Sequence, residues 1–155
     1  MRYWYCMKTD MGPIRILCED DAIVRVDFTD HSPEDAIREK TELIDRAVYQ
    51  MEEYLRGERK RFDLPLKPVG TLFQNKVWEA LLTIPYGTTK SYGEIASMIG
   101  SPKASRAVGG ANNKNPISII IPCHRVIGAN GSLVGYGGGL DKKVSLLQLE
   151  QRWKS

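Results

Sequence analysis

Residues 1–8 (MRYWYCMK) and 22–28 (AIVRVDF) are rich in β-branched and aromatic side chains. Between them, Ile14-Arg15-Ile16-Leu17 alternates apolar and polar after a Gly12-Pro13 turn. A period of two with turn residues between the runs predicts three strands of a meander. The period then changes. Ile37, Ile44, Ala47, Met51 and Leu55 recur at helical spacing and predict one amphipathic helix over residues 34–56. Pro65, Pro68 and Gly70 interrupt every pattern, so a boundary is expected there, with one domain over residues 1–67 and a second over 68–155.

The second half reads as short helices with start signals. Thr71 with Gln74 and Ser91 with Glu94 each form a capping box, in which the cap hydroxyl and the side chain three residues on satisfy each other's backbone N–H groups. The first helix carries Phe73, Val77, Leu81 and Ile84 and stops near Pro85-Tyr86-Gly87. The next is short, turns Ile95, Ala96 and Ile99 inward, and ends at Gly100. Ser101-Pro102 has the form of a cap followed by a first-turn proline, and predicts a helix with Ala104, Ala107, Val108 and Ala111 on one face. Two short helices about a Gly-containing turn suggest a helix-turn-helix, with an ordinary helical hairpin as the alternative. Ile117-Ser118-Ile119-Ile120-Ile121 is a buried strand by composition, ended by Pro122. A glycine-rich loop follows over 127–139 with an Asn130-Gly131 turn, and a last helix runs from Asp141 to Trp153.

Charge sharpens this division. The first 70 residues carry 12 Lys and Arg against 15 Asp and Glu, whereas residues 71–155 carry 10 against 4. A basic half is suited to meeting an anion such as nucleic acid, though a solvated surface can be asymmetric by chance. No apolar run approaches the roughly 20 residues of a membrane span, and the first residues lack the apolar stretch of a secretory signal. Both observations point to a cytoplasmic protein without a membrane partner. Three cysteines at irregular spacing do not make a disulfide framework.

The chemistry centres on Cys123. It follows an apolar run and a proline, with His124 and Arg125 directly after it. A thiol with a pKa near ~8.5 is mostly protonated at neutral pH; a nearby imidazole can take its proton, and neighbouring cations favour the thiolate. The chain has only one other histidine, His31, which lies in an acidic stretch and is expected on the surface. Glu150 lies three and four residues from Leu147 and Leu146, on what should be an inward face, where a carboxylate needs a partner; the His124 N–H would serve, and would fix its tautomer. Lys103, Arg106 and Lys114 surround small residues, and Gly109-Gly110 in mid-helix suggests close approach of another molecule or of another helix.

Ile121-Pro122-Cys123-His124-Arg125-Val126 resembles the active-site signature of the O6-alkylguanine-DNA alkyltransferases. The resemblance extends through Ser91 to Ala96, Arg106 to Ala111, Asn115-Pro116, Tyr136 to Leu140 and Leu146-Leu147 to Glu150. It covers residues 71–152 in the family's order, whereas the first 65 residues match only loosely. It implies an α+β fold: a small N-terminal β-meander, ribonuclease-H-like α/β domain, then a helical winged helix-turn-helix domain that binds DNA and carries the chemistry.

The implied activity is direct-reversal repair. An alkyl group passes once and irreversibly from O6-alkylguanine in duplex DNA, with O4-alkylthymine left open, to Cys123. The implied roles are His124 as the base acting through water, Glu150 orienting His124, and Asn115 hydrogen-bonding within the active-site turn. Tyr92 would rotate the target phosphate and bind guanine N3, while Arg106 would fill the gap left by the flipped base. Val126 and Tyr136 would wall the pocket, the carbonyls of Cys123 and Val126 would accept from the guanine amino group, and the Gly137 N–H would face O6. Ser91, Tyr92, Lys103, Arg106, Ala107, Gly109, Asn113 and Arg125 would meet the DNA. Gly137 and Asn113 stand where some members have serine and arginine, and Ser118 where some have proline. No cofactor or metal is implied; Cys6, Cys18 and His31 offer three ligands without a fourth, so free thiols are expected. The expected partner is damaged DNA, bound by a monomer.

Two other classes compete. A non-catalytic alkylation-damage binder of this fold would lack the acceptor cysteine. A winged-helix regulator sensing oxidants through Cys123 would have no need of Tyr92, Asn115 and Glu150 beside the Cys-His pair. A cysteine protease would act on peptides, against which the basic half argues.

Overall fold

The computed structural model describes residues 1–133 and 135–155, and the chain divides into two compact units, Met1–Pro68 and Val69–Ser155. In the first unit, strands β1 (Arg2–Thr9), β2 (Gly12–Glu19) and β3 (Ala22–Asp27) form the antiparallel meander. Alternation gives the sheet two apolar faces. Ile14 and Ile16 are fully buried, as are Ile44, Met51 and Tyr54 of helix α1 (Glu42–Leu55), which packs against β1 and β2. Trp4 and its cross-strand partner Leu17 cluster with Val24 on the other side.

The helix expected over residues 34–56 is shorter than its apolar pattern. Ile37–Arg38 instead form β4, parallel to β1, with Ile37 opposite Tyr3, so the sheet order is β3-β2-β1-β4. Thr41 ends the extended segment. Its hydroxyl accepts from the Ile44 N–H at 3.3 Å, a cap worth about 1 kcal/mol, and the helix begins only after it. Ile37 falls in register with the helical stripe by coincidence and is 43% exposed.

In the second unit, α2 (Leu72–Leu81) and α3 (Tyr92–Met98) each open with the complete capping box read from the sequence, at Thr71/Gln74 and Ser91/Glu94. Between α3 and α4 (Ser105–Asn113) the chain turns at Gly100, whose φ of +79° is strained for any side chain. Ser101-Pro102 does not cap α4. The Ala104 N–H bonds to the Ser101 carbonyl at 2.8 Å, making a separate turn that delays the helix to Ser105. That delay rotates the expected apolar face: Val108, Ala111 and Asn112 are buried, while Ala107 faces outward. The Trp78 indole N–H, buried on α2, donates to the Ala111 carbonyl at 2.9 Å and fixes α4 against α2.

The expected strand at Ile117–Ile121 is not one. Its apolar residues are buried, but the backbone is coiled into tight turns with Ile119 at φ +71°. The next residues, Cys123–Arg125, form a single 3-10 turn that runs into β6 (Val126–Ile127). β6 pairs in parallel with β5 (Lys90–Ser91), which sets the start of α3 beside the cysteine turn. The Asn130-Gly131 turn is present, with the Gly131 N–H bonded to the Gly128 carbonyl at 2.9 Å; Val134 of the expected loop lies outside the described residues. Helix α5 (Leu140–Trp153) completes the unit. Among the described residues no helix is long and apolar enough to cross a membrane.

Candidate active site

The turns that replace the strand are closed by backbone bonds, the Ile120 N–H to the Ser118 carbonyl at 2.8 Å and the Ile121 N–H to the Ile117 carbonyl at 3.1 Å, and braced by one side chain. Asn115 donates from Nδ2 to the Ile121 carbonyl at 2.8 Å and the Ile117 carbonyl at 3.3 Å, and its Oδ1 accepts from the Ile117 N–H at 3.0 Å. A strand would have needed a neighbouring strand for these groups; the buried carboxamide supplies the partners locally. Pro122 then delivers Cys123 into the 3-10 turn at 3% exposure.

Burial pushes the Cys123 thiol up to about 11, against the opposing pulls of Asn115, Lys143, its own N–H and Tyr136. The resting sulfur is therefore a thiol. The sequence suggested cations favouring the thiolate, but the two adjacent to Cys123 do not supply that. His124 is fully buried, and burial holds its pKa below the ordinary value despite the pull of Glu150, so it is neutral at pH 7.

Arg125 is turned inward, contrary to its expected place at the DNA, and is 7% exposed. Its Nε and Nη2 donate to Glu150 at 2.8 and 2.9 Å, its Nη1 donates to the Ile84 carbonyl at 2.7 Å, and its guanidinium lies 5.7 Å from the Tyr86 ring centroid. A guanidinium so occupied contributes to the interior and not to a phosphate contact.

Glu150 joins these residues. It is 1% exposed, accepts from Arg125 and from the Gly87 N–H at 3.1 Å, and lies 2.7 Å from His124 Nε2. Burial alone would raise its pKa, but the hydrogen bonds from His124 and Arg125 outweigh it and hold the carboxyl well below the usual carboxylate range. Because Glu150 is an anion, the proton between the pair sits on Nε2, and the imidazole lone pair is on Nδ1, the tautomer of a base.

The remaining residues expected at the site surround this centre in different ways. Tyr136 is 9% exposed, and burial with the nearby Cys123 raises its phenol, which stays a neutral donor. Val126 is fully buried at the start of β6. Tyr92 is half-buried, and burial raises its phenol too. A Cβ at Gly109 would meet the Tyr92 ring at 3.8 Å, whereas one at Gly110 would meet nothing within 4 Å. Of the glycine pair, the first therefore lies against the tyrosine and the second opens outward. Gly137 is exposed, and a Cβ there would come within 3.2 Å of the Asn113 carbonyl. Ser91 is occupied as a cap, while Lys103, Arg106, Ala107 and Asn113 are exposed on or just before α4. His31 is exposed in the other unit, and Cys6 and Cys18 are free thiols.

Two buried residues escaped the sequence reading. Lys143 of α5 is fully buried and donates to the Val126 carbonyl at 2.6 Å and the Gly135 carbonyl at 3.4 Å. Asn112 of α4 is 1% exposed and donates from Nδ2 to the Cys123 carbonyl at 3.3 Å. Both signals were available: Lys143 falls on one helical stripe with Leu146 and Glu150, and Asn112 lies four residues after Val108.

Residues 72–152 match the family model of the 6-O-methylguanine DNA methyltransferase DNA binding domain, and residues 2–68 that of its ribonuclease-like domain. A methylated-DNA–protein-cysteine methyltransferase of Methanosarcina acetivorans is 51% identical over 152 residues, covering 96% of this chain and 97% of that protein. One from Mycobacterium leprae is 61% identical over 105 residues, 68% of this chain and 64% of that protein. The crystal structure of Mycobacterium tuberculosis OGT in complex with DNA superposes with a TM-score of 0.92 at 45% identity, covering 97% of this chain and 94% of that one. The loosely matching first domain is thus accounted for as well as the second, and the chain belongs to the 6-O-methylguanine DNA methyltransferase family.

Proposed function

We propose that this protein repairs DNA by direct reversal, transferring the alkyl group of O6-alkylguanine to Cys123 as a methylated-DNA–protein-cysteine methyltransferase that acts once. The observation that carries this reading is the buried acceptor turn: a neutral thiol at Cys123, followed by a histidine whose Nε2 is held by Glu150, so that Nδ1 is the basic nitrogen.

In this reading the second unit, within the 68–155 segment, does both jobs. The exposed, basic side of α4, with Lys103, Arg106, Ala107 and Asn113, meets the duplex in the minor groove, where contacts depend little on sequence. The target base leaves the stack at a cost of a few kcal/mol, which Arg106 offsets by taking its place. The base enters a pocket walled by Val126 and Tyr136, and the Cys123 and Val126 carbonyls accept from its amino group.

The thiol proton passes through water to His124. Sulfur then attacks the alkyl carbon, the S–C bond forming as the C–O6 bond breaks. The guanine leaves as an anion hydrogen-bonded by the Tyr92 hydroxyl at N3 and the Gly137 N–H at O6, and takes a proton back. Thiol and alkylguanine become thioether and guanine with no electron or atom left over, so the chemistry needs no cofactor. A monomer in the cytoplasm suffices for it.

The direct test is incubation with duplex DNA containing one O6-methylguanine, followed by peptide mapping. A methyl group on Cys123 is expected; a methyl on Cys6 or Cys18, or none, would overturn the assignment.

A further inference from the structure

The α4 helix has two sides with different fates. Arg106, Ala107 and Asn113 face outward, and Asn112 faces inward at 1% exposure. There its Nδ2 donates to the carbonyl of Cys123. Its Oδ1 is buried and, among the described residues, accepts no hydrogen bond. An unsatisfied buried acceptor is a standing cost that an apolar residue of the same size would not carry. A carboxamide at this position therefore stabilises the fold little, and what it does provide is a donor aimed at the peptide of the acceptor residue.

We propose that Asn112 is a positioning residue for alkyl transfer, fixing the Cys123 carbonyl from the helix that docks on DNA. The inference rests on the proposed function and deepens it. Cys123 lies at the head of a single 3-10 turn whose own bonds include the Arg125 N–H to the Pro122 carbonyl at 3.0 Å. The Cys123 carbonyl is held from outside that turn by Asn112, as the Val126 carbonyl is held by Lys143. These are the two carbonyls that would take the guanine amino group. The Cys123 carbonyl also accepts the Val126 N–H that closes the 3-10 turn, so Asn112 is its second donor, and each carbonyl is restrained by a side chain before the base arrives. Because Asn112 and the outward residues share one rigid helix, the placement of α4 on DNA and the placement of the Cys123 peptide are one event.

The test compares wild type with Asn112→Leu, which matches the side chain in size but removes both the donor and the stranded acceptor. The measurements are the first-order transfer rate at saturating O6-methylguanine duplex, the affinity for that duplex, and the melting temperature. The rate constant reports on folded molecules, and the amplitude on their fraction. The expected result is a rate constant lowered about three- to tenfold, the worth of one hydrogen bond, with affinity and melting temperature kept. An unchanged rate constant overturns the inference, as does a weakened affinity with the rate intact, which would assign Asn112 to docking. Should the leucine fail to fold, Asn112→Ala lacks the same donor and is judged by the same criteria. A wild-type protein that transfers nothing would instead sink the proposed function itself.

Discussion

The Arg125 guanidinium grips both oxygens of the Glu150 carboxylate, Nε on Oε1 at 2.8 Å and Nη2 on Oε2 at 2.9 Å, while His124 shares Oε2 at 2.7 Å. Glu150 thus serves two buried partners. It holds the imidazole in its basic tautomer, and it compensates a cation that would otherwise be stranded in the interior. The arrangement ties the Cys123–His124 turn to the stability of the unit, and the two roles separate on mutation.

Glu150→Gln should destabilise the protein by about 3–5 kcal/mol, because it leaves Arg125 buried without a counter-charge. Adding Arg125→Met removes the stranded cation, so the double variant should be less destabilised than the sum of the single variants by at least about 1 kcal/mol. Urea unfolding of the four proteins measures this. Additive losses would mean that the two side chains do not act as a pair.

Stability should fall away on both sides of a plateau in pH. His124 is depressed below its ordinary 6.5, so the unfolded chain takes up its proton first, and the stability of the neutral form is lost as pH falls below about 6.5. Glu150 is depressed from 4.5, and its contribution drains below that value. Cys123 is raised from 9.0 to about 11, so its contribution is complete below pH 9 and declines as pH rises toward 11. Melting temperatures against pH should therefore plateau between about 6.5 and 9. Cys123→Ser should weaken the alkaline decline; an unaltered one would show that burial of this thiol does not set it.

The sequence made some of this legible and hid the rest for identifiable reasons. The two capping boxes and the Gly100 turn depend on residues at most four apart, and both read correctly. The Ile117–Ile121 run has strand composition, yet Asn115 supplies its carbonyls with a donor and coils it, a contact that composition does not encode. Ile37 entered the helical stripe because a period of 3.6 tolerates one accidental match. Cys123, His124 and Glu150 were legible as chemistry. The direction in which Arg125 points was not, since it depends on Glu150, 25 residues away, facing the same interior.

Gly100→Ala tests the turn between α3 and α4. A side chain there would meet nothing within 4 Å, so the whole penalty is the positive φ, about 1 kcal/mol. Denaturant unfolding should register that loss with the transfer rate per folded molecule retained. A gain in stability would contradict the strained geometry.

Arg106 is exposed on α4, whereas Cys123 is buried. Arg106→Gly should slow repair of a paired lesion much more than reaction with the free alkylated base, since only the paired lesion must be held out of the stack. Equal losses on the two substrates would assign Arg106 to the pocket or to folding.

Cys123 should keep the alkyl group, because thioether sulfur is a poor leaving group without activation. The most direct measurement is the number of methyl groups removed per protein molecule in the presence of excess O6-methylguanine duplex, read by intact mass of the protein and by analysis of the DNA. One methyl per molecule, all of it on the protein and none transferred by Cys123→Ala, is the result expected. Several lesions repaired by each molecule, or repair by the alanine variant, would contradict the account.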